Sequence, residues 1–160
     1  MICAWQEFIR LIPPDFRDEL NHSVKEKLQE LRLRIGQPPK MVFGRESAVL
    51  NRPVTHEDLQ YVINSASQYS PWASTTVNKG FITASGGHRI GVCGDCVVHE
   101  RTVSGIRTPT SLCLRVARDF PGIAAKATTI TGSVLIIGPP GSGKTTFLRD
   151  FIRQRAALGA

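Results

Sequence analysis

The octapeptide Gly138-Pro139-Pro140-Gly141-Ser142-Gly143-Lys144-Thr145 satisfies the pattern G-x-x-x-x-G-K-[ST] without a mismatch. Each position has a chemical reason. Glycines let main-chain N–H groups wrap a chain of phosphates, and a helix that starts at the motif adds its positive end. Lys144 is the side chain expected to reach the β- and γ-phosphates of a nucleoside triphosphate, and the Thr145 hydroxyl the one expected to ligate its Mg²⁺. The expected nucleotide-binding residues are therefore Gly138, Pro139, Pro140, Gly141, Ser142, Gly143, Lys144, Thr145 and Thr146, with ATP and Mg²⁺ as the ligands.

Four cysteines, Cys3, Cys93, Cys96 and Cys113, invite a metal reading, because Cys93-Gly-Asp-Cys96 has the spacing of a zinc knuckle. A tetrahedral site needs two further ligands, and the sequence holds no second Cys-x-x-Cys. His99 and Cys113 could complete one, but Cys113 lies in the alternating run Leu112-Cys113-Leu114-Arg115-Val116. Unpaired cytosolic thiols are the simpler reading.

The elements around the phosphate motif have the right order. Ser133-Val134-Leu135-Ile136-Ile137 reads as a strand buried on both faces. After the motif, Phe147, Leu148, Phe151, Ile152 and Ala156 share one side of an expected helix. Sixteen residues follow Lys144, too few for the second acidic strand, the water-orienting residue and the further βα units of a nucleotidase. The expectation is the N-terminal portion of a longer NTPase, with no complete set of catalytic residues and no hydrolysis on its own.

Upstream, residues 1–125 read as an α+β domain, and 126–160 as the first strand–P-loop–helix unit of a truncated α/β P-loop NTPase domain of the AAA or RecA-like kind. Phe16, Leu20, Val24, Leu28 and Leu31 form a helical stripe that Asn21-His22-Ser23 splits in two. Leu31 to Ile35 then alternates apolar and basic as a half-buried strand, ended by Gly36-Gln37-Pro38-Pro39. Met41 to Phe43 and Ala48 to Leu50 continue as strands. Thr55-His56-Glu57-Asp58 has the form of a capping box, ahead of a helix with Leu59, Val62, Ile63 and Ala66 on one face. Pro71 should break it, with a short second helix over 71–78. Gly80 to Ala84 and His88 to Val92 form a hairpin about Ser85-Gly86-Gly87, which puts His88 and Arg89 at a surface turn. Cys96 to Val98 and Leu112 to Val116 extend the sheet, and 117–132 is a connector.

The composition, 41% hydrophobic and 21% charged over 160 residues, excludes a disordered tail, a fibrous repeat and a disulfide-rich secreted module. No run approaches the length of a membrane span, and the start lacks a secretory signal, so the chain is expected to be cytoplasmic. Residues 1–79 carry ten basic and nine acidic side chains; residues 80–160 carry ten and four. That asymmetry suits an anionic partner.

Five blocks in order, Leu31 to Gly36, Gly80 to Thr83, Gly86 to Gly94, Ser111 to Ala117 and Gly138 to Arg149, resemble the stage III sporulation protein AA family. These are ATPases of endospore-forming bacteria, related to the ring-forming ATPases of type II and type IV secretion. The resemblance covers nearly the whole chain, and the family usually runs to about twice its length. It implies an ATPase of the mother-cell cytoplasm, a homo-oligomeric ring when complete, serving the stage III A channel proteins and peripheral at the forespore membrane. Residue roles carry over for Gly138 to Thr146 alone; Arg32, Arg34, His88, Arg89 and Arg115 have no assigned chemistry. The alternative is a nucleic-acid-associated P-loop ATPase. Base stacking would want aromatics among the basic residues, and 80–160 has Phe81, Phe120, Phe147 and Phe151 alone, so nucleic acid is not the expected partner.

Overall fold

The computed structural model describes residues 1–20, 22–68 and 79–159, without the side chains of His22 and Ser23. The chain divides into two units, Ala4–Ala117 and a second built from Met1–Cys3 with Arg118–Ala160. The helix expected over 71–78 lies outside the described residues.

Among the described residues of the larger unit the α-helices are α1 (Trp5–Leu11), α2 (Pro14–Arg17), α3 (His22–Lys25) and α4 (His56–Ser67). Pro14 at the first position of α2 suits a helix start. Of the expected helical stripe, Phe16 lies in the single-turn α2 and Val24 in the single-turn α3, Leu20 and Leu28 lie outside any helix, and Leu31 belongs to a strand; His22 and Ser23, expected to break the stripe, are the first residues of α3. Thr55 caps α4 by a complete capping box: its hydroxyl accepts from the Asp58 N–H, and the Asp58 carboxylate accepts from the Thr55 N–H. Arg52 grips that carboxylate with two N–H groups at 2.7 and 2.8 Å, and its guanidinium lies 4.0 Å from the centre of the Phe16 ring.

Six strands, β1 (Glu30–Arg34), β2 (Lys40–Phe43), β3 (Glu46–Val49), β4 (Phe81–Thr83), β5 (Arg89–His99) and β6 (Thr102–Arg115), form one sheet in the order β3-β2-β1-β6-β5-β4. Every neighbouring pair is antiparallel. The alternation seen in the sequence becomes two faces. Leu31, Leu33, Ile82, Ile90, Leu112 and Leu114 are buried together with the apolar sides of α1 and α4. Each such side chain stabilises the fold by about 1.5–3 kcal/mol. The opposite face is polar.

β5 and β6 are a single long hairpin whose two-residue loop is Glu100-Arg101, with His99 opposite Thr102. Both loop residues adopt positive φ, 48° and 64°, as a type I′ turn demands. Irregular pairing between Cys93 and Gly94 is fixed by sterics: a Cβ at Gly94 would press on the Thr108 carbonyl oxygen and stand 2.8 Å from the Pro109 Cα.

His88 departs from expectation. It is fully buried, not a surface turn residue. Its Nε2–H donates to the Ala4 carbonyl at 2.9 Å, and Nδ1 accepts the Ala117 N–H at 3.0 Å. A carbonyl can only accept and an amide N–H only donate, so these partners fix one neutral tautomer. Gly86 and Gly87, at φ 73° and 76°, turn the chain over the ring, and Phe8 lies 5.2 Å away, centroid to centroid. Arg89, by contrast, is exposed.

Candidate functional site

The phosphate motif lies in the smaller unit. Gly141 (φ 76°) and Gly143 (φ 86°) take left-handed conformations that a side chain resists, so the loop folds back on itself and opens directly into α5 (Lys144–Ala157). The Ser142 N–H donates to the Pro139 carbonyl at 3.3 Å, and the first helical bond runs from Phe147 N–H to the Gly143 carbonyl at 2.8 Å. No side chain caps the start of α5. Its first-turn N–H groups are therefore left with the partial positive charge of a helix N-terminus. The Lys144 ammonium donates to the carbonyls of Gly138 (2.8 Å) and Pro139 (2.7 Å), which holds the cation across the loop. Thr145 is exposed and Thr146 half-buried. A Cβ at Gly138 would come within 2.8 Å of the Ser142 Oγ, so the loop closes tightly there.

Two expectations around the loop fail. Ser133 to Ile137 is not a strand, and Leu135 and Ile137 are 83% and 84% exposed. A strand needs a ladder partner, and all strands among the described residues pair within the sheet of Ala4–Ala117. The apolar side of α5 is not a core face either: Leu148 and Ile152 are exposed, and Phe147 and Phe151 are half-buried against each other at 6.3 Å.

What fastens α5 within its unit is polar. Asp150 is buried; its Oδ2 accepts from the Ala124 N–H at 2.9 Å and from the Gln154 amide at 2.6 Å. The Ala124 N–H pulls the Asp150 carboxyl below the usual carboxylate range in spite of its burial. Arg153 pairs with Asp119 at 2.7 Å and lowers that carboxyl too. Arg155 donates to the carbonyls of Thr128 and Ile130, both at 3.3 Å. The sequence gives no hint of Asp150, because the partner that ties it to the connector is a main-chain N–H, that of Ala124.

Cys93 and Cys96 are both exposed on β5, and Cys113 is half-buried on β6. Burial raises the Cys113 thiol, and the Glu30 carboxylate adds to that. Among the described residues no group of three or more His, Cys, Asp or Glu side chains is placed to hold a metal ion.

A model of the family described as sporulation stage III, protein AA matches residues 5–159. The chain is 31% identical over 156 residues to the stage III sporulation protein AA of Bacillus subtilis (strain 168), covering 92% of this chain and 51% of that protein. It is 30% identical over 154 residues to the protein SEEDLING PLASTID DEVELOPMENT 1 of Arabidopsis thaliana, covering 93% of this chain and 20% of that one. In fold it is similar to the X-ray structure of the Legionella pneumophila ATPase DotB, with a TM-score of 0.52 at 21% identity over 88% of this chain and 42% of that chain. The likeness is one of mixed α/β architecture with an antiparallel sheet. The chain spans about half the length of the B. subtilis relative.

Proposed function

Because this chain belongs to the sporulation stage III, protein AA family, we propose that it is the N-terminal part of a secretion-type ATPase and that Gly138 to Thr146 bind the phosphates of ATP. The carrying observation is the Lys144 ammonium held over a doubly left-handed glycine loop, at a helix start that no side chain caps. Similarity in fold to an ATPase supports the reading.

The residues present fit a triphosphate. Positive φ at Gly141 and Gly143 brings bare main chain to the loop surface, and the first-turn N–H groups of α5 are available donors. Lys144 would exchange the Gly138 and Pro139 carbonyls for phosphate oxygens, a stronger charge-assisted pairing. Thr145, whose side chain is exposed, would ligate Mg²⁺, which when bound neutralises charge on the β- and γ-phosphates.

In this reading residues 1–125 form the α+β N-terminal domain and 126–160 open the nucleotide-binding domain; the compact unit Ala4–Ala117 lies within the first of these. The complete protein would act as a ring in the mother-cell cytoplasm, peripheral at the forespore membrane, serving the stage III A channel proteins. No helix of the described residues is long and apolar enough to cross a membrane.

Calorimetric titration of this chain with ATP and Mg²⁺ tests the site. Binding weaker than micromolar is expected, at least tenfold weaker still in Lys144→Ala, with no turnover by this chain. Loss of hydrolysis in Lys144→Ala of the full-length protein is the companion result. Equal affinity in the parent and Lys144→Ala would overturn the assignment.

A further inference from the structure

The polar face of the sheet collects cations that the sequence scatters over three-quarters of the larger unit. Register places residues in three rows across the strands. One runs Arg89–Arg115–Glu30–Val42, a second Phe81–Gly91–Cys113–Arg32–Lys40, and a third Cys93–Ser111 with Arg34. Within these rows Arg32, Arg34, Lys40, Arg89 and Arg115 are exposed, and Glu30 is the single acid, engaged by Arg32 and Arg115. Arg34, Lys40 and Arg89 have no ion-pair partner among the described residues. Arg89 and Arg115 stand directly opposite each other. Like charges so placed work against the sheet, and a bound anion would relieve them.

We infer that this face binds single-stranded nucleic acid, with the phosphates along the Arg and Lys rows and a base against Phe81. Three observations favour that ligand. First, the cations do not converge on one point: from Arg89 on β5 to Lys40 on β2 is three strand spacings, about 14 Å at roughly 4.8 Å each, which fits a polyanion better than one phosphate. Second, the surface between them is concave. A cavity of about 480 Å³ is lined by Phe81, Arg89, Gly91 and Arg115, and one of about 270 Å³ by Arg32, Arg34, Gln37 and Lys40. Planar bases and sugars fill such hollows, whereas an anionic membrane, which also attracts clustered Lys and Arg, presents a broad flat surface that does not enter them. Third, Phe81 is 42% exposed and lines the same cavity as Arg89 and Arg115, the combination of aromatic and cation on which bases stack whatever their sequence.

The site is independent of the phosphate loop, and the experiment separates them. Fluorescence anisotropy with a labelled oligothymidylate of about 15 nucleotides is measured on the full chain across a salt series. Three to five neutralised phosphates give a slope of roughly −2 to −3.5 in log K against log salt. Arg34→Gln/Lys40→Gln/Arg89→Gln, all exposed positions, should weaken binding at least tenfold and flatten the slope by about 2. Phe81→Ala should cost about fivefold or more with the slope unchanged. Lys144→Ala should bind the oligonucleotide like the parent. Three results would each overturn the proposal: no binding at 50 mM salt, binding indifferent to the triple substitution, or binding lost in Lys144→Ala. So would triple-variant-sensitive binding to vesicles of phosphatidylglycerol and phosphatidylcholine with none to the oligonucleotide.

Discussion

Truncating His88 to alanine should be among the most damaging single changes to the sheet unit. The ring is fully buried and makes two main-chain hydrogen bonds, to the Ala4 carbonyl and from the Ala117 N–H. Removing it leaves both groups unmatched, at about 1–3 kcal/mol each, and opens a void beside Phe8. Both partners sit near the ends of the unit, where water gains access most readily, so the low half of that range applies and the expected loss is about 3 kcal/mol. With a urea slope near 1.5 kcal/mol/M for a unit this size, the midpoint followed by far-ultraviolet circular dichroism should fall by about 2 M. Two milder variants dissect the effect. Asn places an oxygen where Nδ1 accepts, Gln an amide where Nε2 donates, so each should recover roughly half of the loss. Arg89→Ser, next door but exposed, should change stability by less than about 0.5 kcal/mol. A His88→Ala midpoint within 0.3 M of the parent, or Asn and Gln variants no better than alanine, would refute the reasoning.

Asp58 contributes acid sensitivity to the same unit: burial opposes its charge, yet the Arg52 guanidinium and the Thr55 N–H hold its carboxyl below the usual range. A depressed folded pKa contributes stability above the unfolded value, lost as pH falls from about 4; in Asp58→Asn the melting temperature between pH 5 and 3 should vary less than in the parent. Replacing Glu100 by Asn together with Arg101 by Gly relieves two left-handed non-glycine residues, and calorimetry should show a gain of about 1 kcal/mol or more. Gly94→Ala should lose at least about 2 kcal/mol in urea unfolding, because its Cβ meets main chain of β6, while Gly91→Ala, with open contacts, should lose less.

Where a residue's surroundings are its sequence neighbours, the sequence was readable. The capping box at Thr55, the alternation of β1 and the Gly86-Gly87 turn all came through, because each is set within about four residues. The long hairpin was half seen: Glu100-Arg101 lacks the glycine or asparagine that marks such a loop, so its two strands were not joined. His88 was misplaced because Ala4 and Ala117, distant in sequence, bury it. Apolar pattern alone also overreached at Ser133 to Ile137 and on α5, since it reports a wish for burial and not the partner that grants it. At the glycine loop the motif named the candidate residues, and the structure added the Lys144 contacts and the Asp150 fastening. The cationic rows needed register between strands far apart in the chain, which no local pattern carries.

One imidazole holds both the first and the last residue of the sheet unit. The unit's two ends are thus neighbours in space, and its sheet is a closed loop of chain in all but one covalent link. Joining Ala4 to Ala117 through a short glycine-rich linker and opening the chain instead at the exposed Glu100-Arg101 tip would give a circular permutant with the same strand order. A module whose ends meet can be inserted into a host chain, or lost from it, without disturbing what flanks it. Ends this close together are what domain insertion and circular permutation tolerate.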